Sequence, residues 1–299
     1  MSTPHYSVPA PEAAAKLKRL SSVKKTNRML KAVNFILLSL FSLTVLLPMW
    51  FMFITAVKTS QEVFAYPPTW WPTEFVWSNF GEAWQAAPFS GYLGNSVIVA
   101  AFAVVGSVLS NSLVAYGFAK MRFVGRNFWF AVILATMMIP GFVTMIPQYI
   151  LYANIGWVGT FLPLIVPPFL GSAFFIFMLR QFYMTIPTEL IESAYIDGAN
   201  NFYIWRKLIV PMSAPALTTV GVLAFNGSWN DFLGPLLYLT DPATFTLPIG
   251  LKVFIGQLNT QWNFLLAASC MVLLPIIIVF LLFQRYFLEG MNLNGALKG

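Results

Sequence analysis

The sequence predicts an all-α polytopic membrane protein with six transmembrane helices and both termini on the cytoplasmic side. Three observations carry this expectation. Only 9% of the 299 residues are charged and 58% are hydrophobic, whereas soluble domains carry about 25% charged residues. Six apolar runs reach the roughly 20 residues that a helix needs to cross a bilayer. The Lys and Arg residues are shared very unequally between alternate loops, which fixes orientation.

The chain opens on a basic leader, residues 1–31, with a Pro/Ala-rich start that reads as disordered in part. Lys16, Lys18, Arg19, Lys24, Lys25, Arg28 and Lys31 stand together just before the first apolar run. A basic block against a hydrophobic segment is a cytoplasmic membrane flank. The net charge of +7 therefore does not point to nucleic acid, for which no basic-aromatic groove or binding motif is present. The first run has no small-residue cleavage signal and is too long for a signal-peptide core, so it reads as an uncleaved anchor.

The six expected spans cover about 33–57, 92–119, 128–152, 161–183, 214–239 and 264–287, giving a transmembrane domain over 32–287 and a cytoplasmic tail over 288–299. With the N-terminus inside, all but Lys58 and Lys252 of the 17 Lys and Arg residues fall on the cytoplasmic side. Pro48, Pro140, Pro147, Pro163, Pro167, Pro168 and Pro275 lie inside apolar runs. Proline removes an intrahelical hydrogen bond, and neighbouring helices repair that loss in membranes. Kinks are expected at "PGFVTMIP" and "PLIVPP", or else a re-entrant or broken helix. The fifth run is interrupted by "FNGSWNDF".

The outer segment "TSQEVFAYPPTWWPTEFVWSNFGEAW" is rich in Pro and Trp. It reads either as an interfacial anchoring belt or as a surface for an external partner. The later outer segment, "TDPATFTLPIGLKVFIGQLNTQWN", reads as an interfacial or cavity-lining helix.

The cytoplasmic loop 184–213 is unusually polar for this chain. Pro187 suits a first helical turn, with Glu189 and Glu192 in early turns where acid complements the helix dipole. Leu190, Ile191, Ala194 and Tyr195 share one side. Asp197-Gly198 breaks this helix, and a second one over about 201–208 is expected to end at Pro211. On residues alone the loop is either an elbow on the membrane surface or an element that docks into a partner.

"ESAYIDGA" followed by "LIVPMSAPAL" resembles the EAA-type cytoplasmic loop of ABC importer permeases. Glu192, Ala194, Asp197, Gly198, Ala199 and Pro211 match that pattern, and Ser193 departs from it where a second Ala is common. "WNDFLGPLLYL" and "QRYFLEGMNLNGALKG" resemble the smaller permease subunit of maltose-type carbohydrate systems. The resemblance implies a type I importer permease fold in a bacterial cytoplasmic membrane. It also implies a heterodimer with a second permease, a cytoplasmic ATPase dimer that uses ATP and magnesium, and an extracytoplasmic solute-binding protein. The loop would then be a coupling helix seated in a cleft of the ATPase, with Glu192 as the main polar contact and Gly198 permitting the turn.

Asp231 is the one acid expected within a span. At 1.5 Å per residue it falls about 25 Å along from Ala214. It and its neighbours Asn226, Trp229 and Asn230 have two readings: a structural knot bracing a broken helix, or a cavity wall that hydrogen-bonds a sugar, with Trp229 stacking on it. Asn95, Ser110, Asn111, Thr144 and Gln148 are further candidates for interhelical hydrogen bonds or a polar pathway.

No G-x-x-x-x-G-K-[ST] occurs, so ATP would be hydrolysed by a separate subunit, and no cofactor is expected on this chain. A lone cysteine, Cys270, and a lone histidine, His5, leave no disulfide, metal cluster or histidine-based catalysis to build, so an enzyme is not expected. The competing transport class is a self-sufficient secondary transporter, which would be expected to show intramembrane charge pairs or a repeat. The solute alternatives are an oligosaccharide, glycerol phosphate or another polar molecule.

Overall fold

The computed structural model describes the backbone of residues 10–256 and 260–292, and the side chains of 29–256 and 260–285. Most of the C-terminal tail and the first nine residues of the leader lie outside the described residues. Among the described residues the fold is helical, with no strand. Four helical stretches are individually long and apolar enough to cross a membrane, and six if each of two bent pairs counts as one span.

Helix α1 (Ala10–Ala56) carries the first span, and from Met29 to Phe51 nearly every residue is exposed. A face this apolar and uncovered is suited to lipid rather than water. Helix α2 (Phe89–Lys120) is the central post. Ala, Ser and Gly residues on it, including Ala100, Ala103, Gly106, Ser107 and Ala115, are buried, and small residues let helix backbones approach closely in lipid.

Each end of α2 sits in its own apolar core. At its start Phe89 and Tyr92 pack with Ala56, Leu247, Phe254 and Ala267. At its end Ala115 and Tyr116 pack with Leu179, Tyr183, Ile191, Ile204 and Ile209. Segment 240–256 thus enters the first core through Leu247 and Phe254, and it also buries Ile249. It forms short turns rather than one interfacial helix.

The third run is not a straight span. It divides into α3 (Arg126–Thr136) and α4 (Gly141–Asn154), which meet at 94°. Pro140 is the cause: it is extended at φ −60°, ψ 134°, and a proline also biases its predecessor away from helix. The fourth run is broken as well. A turn at Leu162–Ile165 and a 3₁₀ turn at Pro167–Leu170 precede Gly171, at φ +92°, and then α5 (Ala173–Thr185) begins.

Side chains of α2 hold this break. Asn111 is fully buried; its Oδ1 accepts from the Ser172 N–H at 2.7 Å, and its Nδ2 donates to the Ser107 carbonyl at 2.6 Å. Ser110 donates to the Pro168 carbonyl at 3.0 Å. The expected interhelical roles of Ser110 and Asn111 are therefore met, and Asn95 similarly donates to the carbonyls of Ala243 and Phe245 at 2.9 Å.

In the loop after α5, α6 (Thr188–Ile196) and a helical stretch over Asn201–Met212 lead into α7 (Ala214–Trp229), which is bent 82° from that stretch. Pro211 does not end the second helix, correcting the sequence expectation. Residues Trp205–Ile209 widen into a π turn just before it. A proline ring clashes with the carbonyl four residues earlier in a regular α-helix, and a wider turn relieves that clash. The chain bends only at Ser213. The fifth run also stops early: α7 ends at Trp229 and a short helix α8 (Leu233–Tyr238) follows. The last helix, α9 (Trp262–Asn292), packs on α1 and α7.

Lys58 and Glu62 organise the segment between the first two spans. Both are nearly inaccessible, at 3% and 8% exposure. Lys58 donates to the Thr69 carbonyl. Glu62 accepts from the Thr69 hydroxyl at 2.9 Å and from the Thr73 N–H and hydroxyl at 3.0 and 3.1 Å. The clamp presents Trp71, which packs on Trp50 of α1 and on Phe75.

Candidate functional site

The loop between α5 and α7 is built as a rigid piece. Helix α6 ends in a Schellman arrangement: the Ala199 N–H donates to the Ala194 carbonyl at 2.9 Å, and the Gly198 N–H to the Tyr195 carbonyl at 3.0 Å. Such an ending needs a left-handed residue, and Gly198 supplies it at φ +80°. Ala194 and Ala199 are partly buried against the core at the end of α2, which is the apolar contact that usually accompanies this cap. Asn200 then caps the next helix, its Oδ1 accepting from the Tyr203 N–H at 2.8 Å. The spacing of Ala194, Asp197, Gly198 and Ala199 is thus the spacing of one helix ending.

Three polar contacts tie the loop to the bundle. The Trp205 indole donates to Ser112 Oγ of α2 at 2.9 Å, and Ser112 Oγ lies 2.8 Å from the Tyr183 hydroxyl of α5. Asn201 Oδ1 accepts from the Tyr195 hydroxyl and, at 3.4 Å, from that of Tyr116. Lys120 donates to the Ile186 carbonyl at 2.6 Å. Sequence reading missed Ser112, Tyr183 and Trp205. The available signal was weak: Ser112 and Tyr116 are four apart on one helical face, and a tryptophan stands beside Arg206 and Lys207 in the loop.

The other face of the loop is open. Glu189, Glu192 and Asp197 are exposed, as is Pro211. Beside them lie apolar side chains uncovered by this chain: Ile196 is 86% exposed, with Leu190, Tyr195, Phe202 and Tyr203 also exposed. An acidic edge beside exposed apolar groups on a capped helix is a surface of the kind that meets a protein or a membrane.

The second feature is a cavity of about 600 Å³ between α2, α4, the 163–168 turn, α7 and α8. Asp231, Ser228, Gln148, Tyr152, Phe142 and Tyr238 are among the residues lining it. Asp231 lies just beyond the end of α7, not within a continuous helix, and its Oδ1 accepts from the Gly234 N–H at 3.0 Å. It therefore pins the first turn of α8 while lining the cavity. Gly234 makes room for it, since a Cβ there would fall 2.4 Å from Asp231 Oδ2.

The other three residues of this group are placed differently. Trp229 is 2% exposed, stacks on Phe225 at 5.2 Å, and donates to the Val272 carbonyl of α9 at 3.0 Å. Its indole is committed to bracing α7 on α9 and does not line the cavity, which corrects the expected stacking role. Asn226 and Asn230 are exposed and bond each other at 2.7 Å on the same helix; neither lines the cavity. Gln148 lines it, whereas Thr144 bonds back to the Gly141 carbonyl. Among the described residues no cluster of His, Cys, Asp or Glu could hold a metal ion.

A bundle of apolar helices around a lined cavity, with a stiff helix held out beyond it, is the membrane half of a transporter. The chain belongs to the family described as "Binding-protein-dependent transport system inner membrane component", which it matches over residues 111–292. It is similar to a probable ABC transporter permease protein of Bacillus subtilis, YurM, at 34% identity over 88% of this chain and 87% of that one. It is 36% identical to an arabinooligosaccharides transport system permease of Halalkalibacterium halodurans, AraQ, over 71% of this chain and 76% of that one. It is 35% identical to an sn-glycerol-3-phosphate transport system permease of Pectobacterium atrosepticum, UgpE, over 83% and 91%. In three dimensions it resembles a bacterial ABC transporter involved in import of the acidic polysaccharide alginate. The TM-score is 0.77 at 25% identity, covering 95% of this chain and 100% of that one. The fold is that of an ABC importer permease, and the chain is a membrane-embedded transport subunit rather than an enzyme, the ATPase being a separate subunit.

Proposed function

We propose that this permease forms half of the translocation pathway for a carbohydrate in a bacterial cytoplasmic membrane, with both termini inside. It pairs with a second permease, receives solute from an extracytoplasmic solute-binding protein, and is driven by a cytoplasmic ATPase dimer. The ATPase uses ATP and magnesium, and this chain binds no cofactor. The leader is 1–31, the transmembrane domain 32–287 and the tail 288–299. Loop 184–213 is the coupling element: Glu192 and Asp197 meet the ATPase, while Ala194, Gly198 and Ala199 form the helix ending that aims them and Pro211 lies beside the bend into α7. Asp231 belongs to the pathway; Asn226, Trp229 and Asn230 support α7.

The single observation that supports this reading is the two-sidedness of the loop. One face is fixed to α2 and α5 through Trp205, Ser112 and Tyr183, and the other presents Glu192 and Ile196 outward. A carbohydrate is favoured by the arabinooligosaccharide relative and by a cavity that combines tyrosine rings with hydroxyl and carboxylate acceptors. The glycerol-phosphate relative supports a second reading, a small anionic solute. The test is a Glu192→Lys variant purified with its partners. We expect several-fold less ATPase to copurify, or hydrolysis without uptake, with insertion into the membrane intact. Full association and normal uptake would refute the coupling role.

A further inference from the structure

The sign of the charge in the cavity bears on which solutes can use it. Among the described residues that line it, Asp231 is the one acidic side chain, and no Lys, Arg or His lines it. The rest of the wall is supplied by rings, small apolar groups and neutral polar side chains, with Ser228, Gln148 and Tyr152 as the main hydrogen-bonding groups. The carboxylate is also aimed rather than free to turn away. Oδ1 is held by the Gly234 N–H, and the missing side chain at Gly234 gives Oδ2 its place.

A fixed negative charge in a site partly shielded from water acts over a longer range than it would in bulk water. An anion entering beside Asp231 would meet repulsion with no cation among the described lining residues to offset it. A neutral polyol meets the opposite situation. Its hydroxyls can donate to the carboxylate, a charge-assisted hydrogen bond, and its C–H faces can lie on Tyr152, Phe142 and Tyr238.

We infer that this half of the pathway is built for an uncharged polyhydroxylated solute and selects against anionic ones through Asp231. The inference rests on the carbohydrate-importer reading and narrows it, setting aside a phosphorylated or uronate solute.

The charge can be read without knowing the solute. In the assembled transporter with Cys270→Ser, a cysteine is placed at Ser228 and its reaction rates with cationic, neutral and anionic methanethiosulfonate reagents are measured. The rates are normalised to the same three reagents at a cysteine replacing the 95% exposed Tyr66. We expect the anionic reagent to be disfavoured about tenfold against the neutral one. Asp231→Asn, which keeps an oxygen for the Gly234 N–H but removes the charge, should erase that difference, and Asp231→Glu should keep it. Equal rates, a preference for the anion, or a thiol that no reagent reaches would each overturn the inference. A second arm compares ATP-dependent uptake by proteoliposomes of a neutral oligosaccharide and its uronate counterpart. Faster uptake of the uronate would also overturn it while leaving the importer reading intact. Failure of the importer reading would show separately, as loss of ATPase association in the unmodified complex.

Discussion

The indole N–H of Trp205 in the loop donates to the hydroxyl oxygen of Ser112 in the last third of α2, at 2.9 Å. Ser112 is 1% exposed and is shared with Tyr183, so one hydroxyl joins the loop to two helices. Ser112→Ala should leave two buried polar groups short of a partner, at a cost of about 1–3 kcal/mol each. The expected result is a lower ratio of solute taken up to ATP hydrolysed, with the complex still assembled. An unchanged ratio together with an unchanged melting temperature would show that the relay carries nothing.

Gly198 offers a cleaner test of the helix ending. A side chain there would meet no atom within 4 Å, so any effect of substitution is conformational rather than steric. Gly198→Val should cost about 1–2 kcal/mol for its left-handed backbone and weaken ATPase association. Gly198→Asn should be milder, because Asn tolerates that region. Equal effects of the two variants would argue against the backbone explanation.

The clamp at Lys58 and Glu62 predicts a pH response. Burial by itself would raise the Glu62 carboxyl, but the hydrogen bonds from Thr69 and Thr73, with the Lys58 charge, outweigh it and hold the group below its ordinary 4.5. A depressed carboxyl contributes stability that is present above its unfolded value and lost as pH falls through its folded value. The segment 64–76 should therefore resist proteolysis at neutral pH and lose protection only as the pH falls below the ordinary carboxylate range. Glu62→Gln should remove that pH dependence, and should raise cleavage at neutral pH by weakening the clamp.

Gly234→Ala places a methyl group where Asp231 Oδ2 now lies, 2.4 Å away. The carboxylate must move, with an overpacking cost of about 1–3 kcal/mol. Transport should fall more than complex yield does. A variant with wild-type transport would show that the position of Asp231 is not critical.

Trp229→Phe keeps the ring and loses the hydrogen bond to Val272. We expect about 0.5–1.5 kcal/mol of lost stability, read as a lower melting temperature of the purified complex, and no change in solute preference. A changed preference would return Trp229 to the pathway.

Much of this architecture was legible from residues alone because membranes impose a simple rule: a span must be long, apolar and internally hydrogen-bonded. The second and last runs fall close to α2 and α9 for that reason, and the fourth ends close to the end of α5. Hydropathy is blind to bends, however. It counts residues 128–152 as one crossing although Pro140 turns the chain through 94°, and it cannot see the π turn that lets Pro211 sit within a helix. The loop's helix ending was legible because Gly198 has few alternatives at a left-handed position. The cavity was less so. Asp231 and Gln148 stood out as polar groups in apolar runs, but which way Trp229 faces depends on α9, some forty residues on, and no local spacing encodes it.

The loop has one more property that follows from its two exits. Its leading end runs out of α5 and its trailing end into α7, across bends at Ile186 and Ser213. Phe175 of α5 and Ser228 of α7 both face the cavity. In the proposed coupling role, a load applied to α6 would be divided between two struts that end on the same chamber, as a yoke divides one pull between two arms. The stroke at each wall would then depend on where along the strut the bend lies, so moving the bend from Ser213 by one residue would be expected to alter the gearing without touching the ATPase or the cavity lining.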